Sequence, residues 1–241
     1  GLEEEIDMET FEKQPELESH IFRADLMKPK IRKRLLKIVE DFLEGLKIDV
    51  KPLDIRLTGS LANYNWSKYS DIDLHIIVDY AQLGENKELV KAYFNAARMN
   101  WNNKHNIKVH GYEVEIYVED ADEEHIASGL YSLTDQQWLN EPDPAQVEID
   151  HGTAHKKSDD IMTQINLIEK FATQKPKAAM KSIERLRAKV RRLRSAGLKS
   201  DKAEFSAENI AFKILRREEA LDKLANLKRN VYDKLMSMGE E

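Results

Sequence analysis

Residues 57–78 read LTGSLANYNWSKYSDIDLHIIV, and the fold turns on how the closing DIDLHIIV is read. As an extended strand it alternates: Ile72, Leu74, Ile76 and Val78 line one face, while Asp71, Asp73 and His75 share the other. Asp71 and Asp73 then stand side by side, roughly 6–7 Å apart at about 3.3 Å rise per residue. Like charges that close destabilise the strand unless a cation or donor lies between them. The apolar opposite face buries the strand on at least one side, so the acidic pair needs a partner.

Working outward, Ile31, Leu35, Ile38, Val39, Phe42, Leu43 and Leu46 recur at helical spacing, which predicts a helix over 29–46 with Pro29 in its first turn and Gly45 at its end. A short strand at 53–58 runs into the Gly59–Ser60 turn, and the aspartate strand follows at 71–79. A helix at 86–102 places Leu89, Val90, Tyr93, Phe94 and Ala97 on one face and crosses over to another strand. That strand, GYEVEIYVED at 111–120, sets Tyr112, Val114, Ile116 and Val118 against Glu113, Glu115 and Tyr117.

Residues 121–150 read as short strands and loops, broken by Pro142 and Pro144. From about 156 onward the text is helical in three stretches: Pro176 opens the second, Gly197 closes it, and Ser206 caps the third. The expected organisation is an acidic, flexible segment at 1–19, a mixed α/β domain at 20–150 and an all-α domain at 151–241.

The 241 residues suffice for one sizeable core or two modest domains, and 41% hydrophobic with 34% charged residues is the balance of a soluble globular protein. No apolar run approaches the ~20 residues a membrane span needs. The absence of cysteine excludes disulfides and thiolate zinc and agrees with a cytoplasmic setting. The net charge of −6 is uneven: residues 1–19 hold eight acids against Lys13, which leaves the remaining body at +1. A head so acidic reads as a solvating segment.

A third acid on the 111–120 strand would complete a carboxylate cluster with Asp71 and Asp73. Hard oxygen ligands in that number suit Mg²⁺ or Mn²⁺, which take the rest of their shell from water and substrate phosphates. Gly59 lets backbone approach a phosphate closely, and the Ser60 hydroxyl can hydrogen-bond it.

Gly59 and Ser60, ten intervening residues before Asp71, and the surrounding SDIDLHI from Ser70 to Ile76 resemble the signature of the nucleotidyltransferase superfamily, which includes DNA polymerase β, poly(A) polymerases, oligoadenylate and cyclic-dinucleotide synthases, and the antibiotic and minimal nucleotidyltransferases. The resemblance covers residues 53–120, with Ala62 also in its usual place. It departs at Asn63 and Tyr64, where the family often has arginine and glycine, and in offering glutamate where the third acid is usually aspartate. What it implies is an α+β fold, a small mixed-sheet catalytic domain with flanking helices, followed by an all-α helical domain that closes a cleft over the nucleotide. It further implies that Asp71, Asp73 and a third acid bind metal, with Glu115 favoured over Glu113, while Gly59 and Ser60 hold the phosphates of a nucleoside triphosphate. The implied reaction moves a nucleoside monophosphate to an acceptor hydroxyl and releases pyrophosphate. The acceptor is RNA, another nucleotide, a small molecule or a protein side chain, or the fold binds nucleotide or RNA without catalysis.

Between Lys175 and Lys199 ten basic residues face only Glu184, a local balance of +9. That helix is either a solvated partner of the acidic head or a phosphate-tracking surface for RNA or a triphosphate. His151 and His155 stand four apart at a loop or helix start, where a solvated structural role outweighs metal ligation. His75 reads as a satisfied histidine beside the acids, and Tyr64, Trp66 and Tyr131 as packing aromatics.

Overall fold

The alternation of residues 72–78 becomes an inner strand of a six-stranded sheet. The computed structural model describes residues 14–68, 70–123, 127–144, 151–197 and 207–237, and the chain divides into two compact units, Gly1–Glu148 and Ile149–Glu241.

In the first unit a small ribbon of β1 (Phe22–Arg23) and β2 (Leu26–Met27) precedes α1 (Pro29–Glu44). Then come β3 (Asp54–Thr58), a 3₁₀ turn at Ser60–Ala62, β4 (Ile72–Val78), α2 (Lys87–Lys104), β5 (Lys108–Val109), β6 (Tyr112–Asp120), β7 (Leu130–Ser132) and β8 (Gln137–Asn140). The sheet order is β5-β6-β4-β3-β7-β8. Strands β4 and β6 run parallel because α2 carries the chain back between them, and the remaining pairs are antiparallel.

The apolar face of the sheet, with Leu57, Ile72, Leu74, Ile76, Val114 and Ile116, shares one core with Ile31, Leu35, Ile38, Val39 and Phe42 of α1. Phe42 meets Trp101 of α2 edge-on at 5.8 Å, which ties the two helices together. Helix α1 ends before Gly45, as the glycine signalled, although Gly45 keeps ordinary right-handed geometry. Helix α2 starts at Asn86, whose side chain accepts from the Leu89 N–H at 3.1 Å. Its inward face differs from the sequence reading. Leu89 is 68% exposed, whereas Arg98 is buried. A side chain on one face of a helix is buried only where the neighbouring elements reach, and periodicity does not carry that information.

The polar face of β4 is buried as well, so Asp73 and His75 are as enclosed as the leucines and isoleucines behind them. The strand lies between β3 and β6, and both neighbours supply polar partners in register.

The acidic head gives way to structure at its end. Leu17 and Glu18 are buried, and the Glu18 carboxylate accepts from the backbone N–H of His20 (2.8 Å) and Ile21 (3.0 Å). Gln14 N–H donates to the Tyr64 carbonyl at 2.7 Å, and the Trp66 indole donates to the Glu16 carbonyl at 2.9 Å. Residues 14–19 are therefore bound into the first unit, and residues 1–13 lie outside the described residues.

At the far end of β6, Lys87 donates to Asp120 (2.7 Å) and Asp122 (2.6 Å). Burial pushes the Asp120 carboxyl up, but hydrogen bonds from Lys87 and from the Tyr80 N–H outweigh it and hold the group below its ordinary value. Burial also pushes the Tyr112 hydroxyl up to about 12, helped by the nearby Glu18 charge.

The second unit packs α3 (His151–Ala172), α4 (Pro176–Gly197), α5 (Ala207–Arg217) and α6 (Ala220–Met236) on one another. Each buries an apolar stripe: Ile161, Ile165 and Ile168; Ile183, Leu186 and Leu193; Ala211 and Leu215; Leu224, Leu227 and Val231. The third helical stretch of the sequence reading is two helices, because Glu219 sits in the left-handed region at φ 57° and breaks the ladder between α5 and α6. Ser206, read as a cap, lies outside the described residues. No helix among the described residues is long and apolar enough to cross a membrane.

Candidate active site

Strand β3 ends at Thr58 and hands the chain to Gly59, whose φ 81° and ψ −164° belong to a region open essentially to glycine alone. A Cβ at this position would run into Asp73 Oδ2. The missing side chain is what lets the Asp73 carboxylate lie against the turn. Thr58 and Asp73 are register partners across β3 and β4, and Asp73 and Glu115 are register partners across β4 and β6. Side chains at paired positions share a face, so the turn, the aspartate and the glutamate stand in a row across three strands.

Asp71 precedes β4 by one residue. It, Glu113 and Glu115 each offer a carboxylate oxygen, and the three oxygens lie within 4.8 Å of one another. Asp71 and Glu115 are buried and Glu113 is half-buried. The structure thus brings both candidate glutamates to Asp71, while Asp73 stands beside them with its carboxylate turned to Gly59. An all-carboxylate donor set of this spacing fits a hard divalent cation such as Mg²⁺ or Mn²⁺ and does not fit a soft metal.

The Ser60 hydroxyl, expected to face phosphate, donates to Ser70 Oγ at 2.7 Å, and Ser70 Oγ also accepts from the Ser67 N–H at 2.9 Å. These bonds fasten the Gly59–Ser60 turn to the loop that delivers Asp71. From the other side, Asn63 donates to Ser128 Oγ at 2.7 Å and Thr58 donates to the Gly129 carbonyl at 3.1 Å. Gly129 has no room for a side chain, since a Cβ would collide with the Ala62 carbonyl. Its only sequence signal was a glycine between two short runs, which fits many turns equally well.

Beneath the acids lies a second polar row that sequence reasoning did not assemble. Tyr117 donates its hydroxyl to Glu115 Oε2 at 2.8 Å. His75, its register partner, stacks on the Tyr117 ring with centroids 4.7 Å apart, and His75 Nδ1 is 2.6 Å from Glu119 Oε1. The Arg98 guanidinium lies 4.9 Å from the centre of the Tyr117 ring. On β3, Asp54 accepts from Arg56 Nε at 2.8 Å and from the Ser132 hydroxyl at 2.7 Å. Tyr117 was legible as a residue of the glutamate face; Arg98 and Glu119 were not singled out.

The remaining candidates fall outside this cluster. Tyr131 is buried against Phe22 and Trp138 at 5.6 and 5.1 Å, a core aromatic. His151 and His155 lie on the first turns of α3, where His155 is exposed. On α4, Lys181, Arg191 and Arg194 are exposed, whereas Lys189 is buried with its ammonium 3.4 Å from Asp160.

Residues 32–129 match the family described as nucleotidyltransferase domain. No curated protein and no solved structure matches the chain. The matched residues run from the core face of α1 through the Gly59–Ser60 turn to Gly129, and they hold every acid that β4 and β6 bring together. The stretch that carries strands β3 to β6 of the sheet is thus similar to a nucleotidyltransferase domain.

Proposed function

We propose that the protein is a metal-dependent nucleotidyltransferase that moves a nucleoside monophosphate from a nucleoside triphosphate to an acceptor hydroxyl, with residues 20–150 as its catalytic domain and 151–241 as its helical domain. The observation that carries this reading is the meeting of Asp71, Glu113 and Glu115 within 4.8 Å, beside an Asp73 that leans on Gly59. Asp71, Asp73 and Glu115 would hold Mg²⁺ or Mn²⁺, with Glu113 in reach of the same ion. A divalent cation bound there supplies charge neutralisation on the phosphates and lowers the pKa of the acceptor hydroxyl.

The chain's own residues do the positioning. Gly59 presents bare backbone that lets the Asp73 carboxylate lie against the turn, beside which a phosphate would be held by backbone amides. Ser60 would rotate its hydroxyl from Ser70 to a phosphate oxygen, an exchange of one hydrogen bond for a charge-assisted one. Catalysis in phosphoryl transfer rests mainly on such placement and on electrostatics.

RNA is the acceptor we favour, on the strength of the exposed cations Lys181, Arg191 and Arg194 along α4. The test is incubation with each labelled triphosphate and Mg²⁺ or Mn²⁺, with and without RNA, following pyrophosphate. Metal-dependent release that rises with RNA supports the reading. Release without RNA moves the acceptor to a small molecule or protein, and no release with any triphosphate leaves a binding protein.

A further inference from the structure

We propose that Tyr117 is a positioning residue for the metal site, its hydroxyl setting the Glu115 carboxylate in the orientation that binds the cation. The inference rests on the metal-site reading above and concerns how this chain makes a glutamate serve there.

Glutamate has one more torsion than aspartate, so its carboxylate must be ordered before it can ligate reproducibly, and that ordering opposes binding. Tyr117 supplies the order. It lies two residues along the same strand, on the same face, and donates to Glu115 Oε2 at 2.8 Å, which fixes how the carboxylate is turned. A hydroxyl donating to an ionised carboxylate is a charge-assisted bond, stronger than its neutral counterpart.

The tyrosine is itself held from two other elements. His75 on β4 stacks on the ring at 4.7 Å with 14° between planes, and its Nδ1 is anchored 2.6 Å from Glu119. Arg98 on α2 brings its guanidinium to 4.9 Å from the ring centre. His75, Arg98, Glu115 and Glu119 are all buried, so these contacts are made where water competes little. A ring pinned by a stack and a cation has few rotamers, and its hydroxyl occupies one place. Outer groups that orient a ligand in this way typically govern metal affinity by 10–100-fold.

The test is Mn²⁺ binding to the full chain, followed by electron paramagnetic resonance without any triphosphate, alongside thermal unfolding. Tyr117→Phe keeps the ring for His75 and Arg98 and removes only the donor. It should weaken Mn²⁺ binding by about tenfold at an unchanged melting temperature. Glu115→Asp, which keeps the tyrosine whole and withdraws the carboxylate from its hydroxyl, should also weaken binding, and adding Tyr117→Phe to it should change little more. Wild-type affinity in Tyr117→Phe overturns the positioning role and leaves the metal site standing. Equal losses from Tyr117→Phe with Glu115 or with Asp at that position also overturn it, since the tyrosine would then act on something else. A wild type that binds no Mn²⁺ overturns the metal site and this inference together.

Discussion

Asp73 of β4 and Glu115 of β6 are register partners in the one parallel pair of the described sheet, and a Cβ on Gly59 would strike the same Asp73. A single aspartate thus connects the turn that follows β3 to the acids of β6. Parallel pairing is what makes this possible, because α2 returns the chain so that β4 and β6 start at the same end of the sheet.

Neutralising that aspartate should separate activity from stability. Asp73→Asn is expected to lower nucleotidyl transfer by more than about a hundredfold, beyond the usual effect of an outer-shell partner. The melting temperature should hold or rise, since a charge leaves a crowded acidic site. Pyrophosphate release and thermal unfolding measured on one preparation check both; retained activity would remove Asp73 from the site.

Gly59→Ala should do the reverse and damage the fold along with the site. At φ 81° and ψ −164° an alanine is strained by about 1–3 kcal/mol, roughly 2–10 °C in melting temperature for a chain of this size. The Cβ also displaces the Asp73 carboxylate, so Mg²⁺ should no longer stabilise the variant. A Gly59→Ala protein with native melting and native metal response would show that the turn is not where the backbone approaches Asp73.

Triphosphate and Mg²⁺ together should raise the melting temperature more than either alone, by mass action on a joint site. Ser60→Ala should shrink that joint shift while retaining most of the basal stability, since its bond to Ser70 is one hydroxyl pair. Equal shifts in both proteins would exclude Ser60 from phosphate binding.

The Lys87–Asp120 contact predicts a particular acid response. Asp120 is held below its ordinary value in the folded chain, so its contribution is complete above the unfolded carboxylate value near ~4 and is lost as pH falls through the lower folded value. Lys87→Ala should therefore melt below wild type at neutral pH, with the gap closing as pH is taken to about 2–3. A gap that stays constant to low pH would mean that lysine packing, rather than its charge, supports Asp120.

Reversal of Lys181, Arg191 and Arg194 to Glu probes the acceptor. If α4 tracks single-stranded RNA, each lost phosphate contact should flatten the log–log salt dependence by about 0.7, so three should flatten it by about 2. RNA affinity falls while any reaction with a small acceptor persists. Unchanged RNA binding with loss of the small-acceptor reaction would assign these cations to the triphosphate.

Local periodicity was enough to find α1, α2, β4 and β6 to within a few residues, because a strand or helix with one buried face writes its own repeat into the chain. The Gly59–Ser60 turn and the Asp71–Ile72–Asp73 strand entrance were legible for the same reason: their chemistry is contiguous, and glycine at a forced turn has few substitutes. Register is another matter. That Asp73 faces Glu115, that Glu113 also reaches Asp71, and that Tyr117 hands its hydroxyl to Glu115 depend on how two strands slide past each other, which only packing decides. Arg98 continues the Val90–Phe94 row of α2 at i+4, but a charged side chain there does not announce burial, and its burial comes from the elements around it. Glu18 looked like one more charge in an acidic head until the chain folded back and its carboxylate accepted from His20 and Ile21. The turn at Glu219 has no glycine or proline to announce it, so the break between α5 and α6 is imposed by helix packing against the local preference of the chain. Sequence determined which chemistry this protein carries, since residue type and near spacing are local properties; tertiary structure decided which of those residues meet, since contact between distant strands is not.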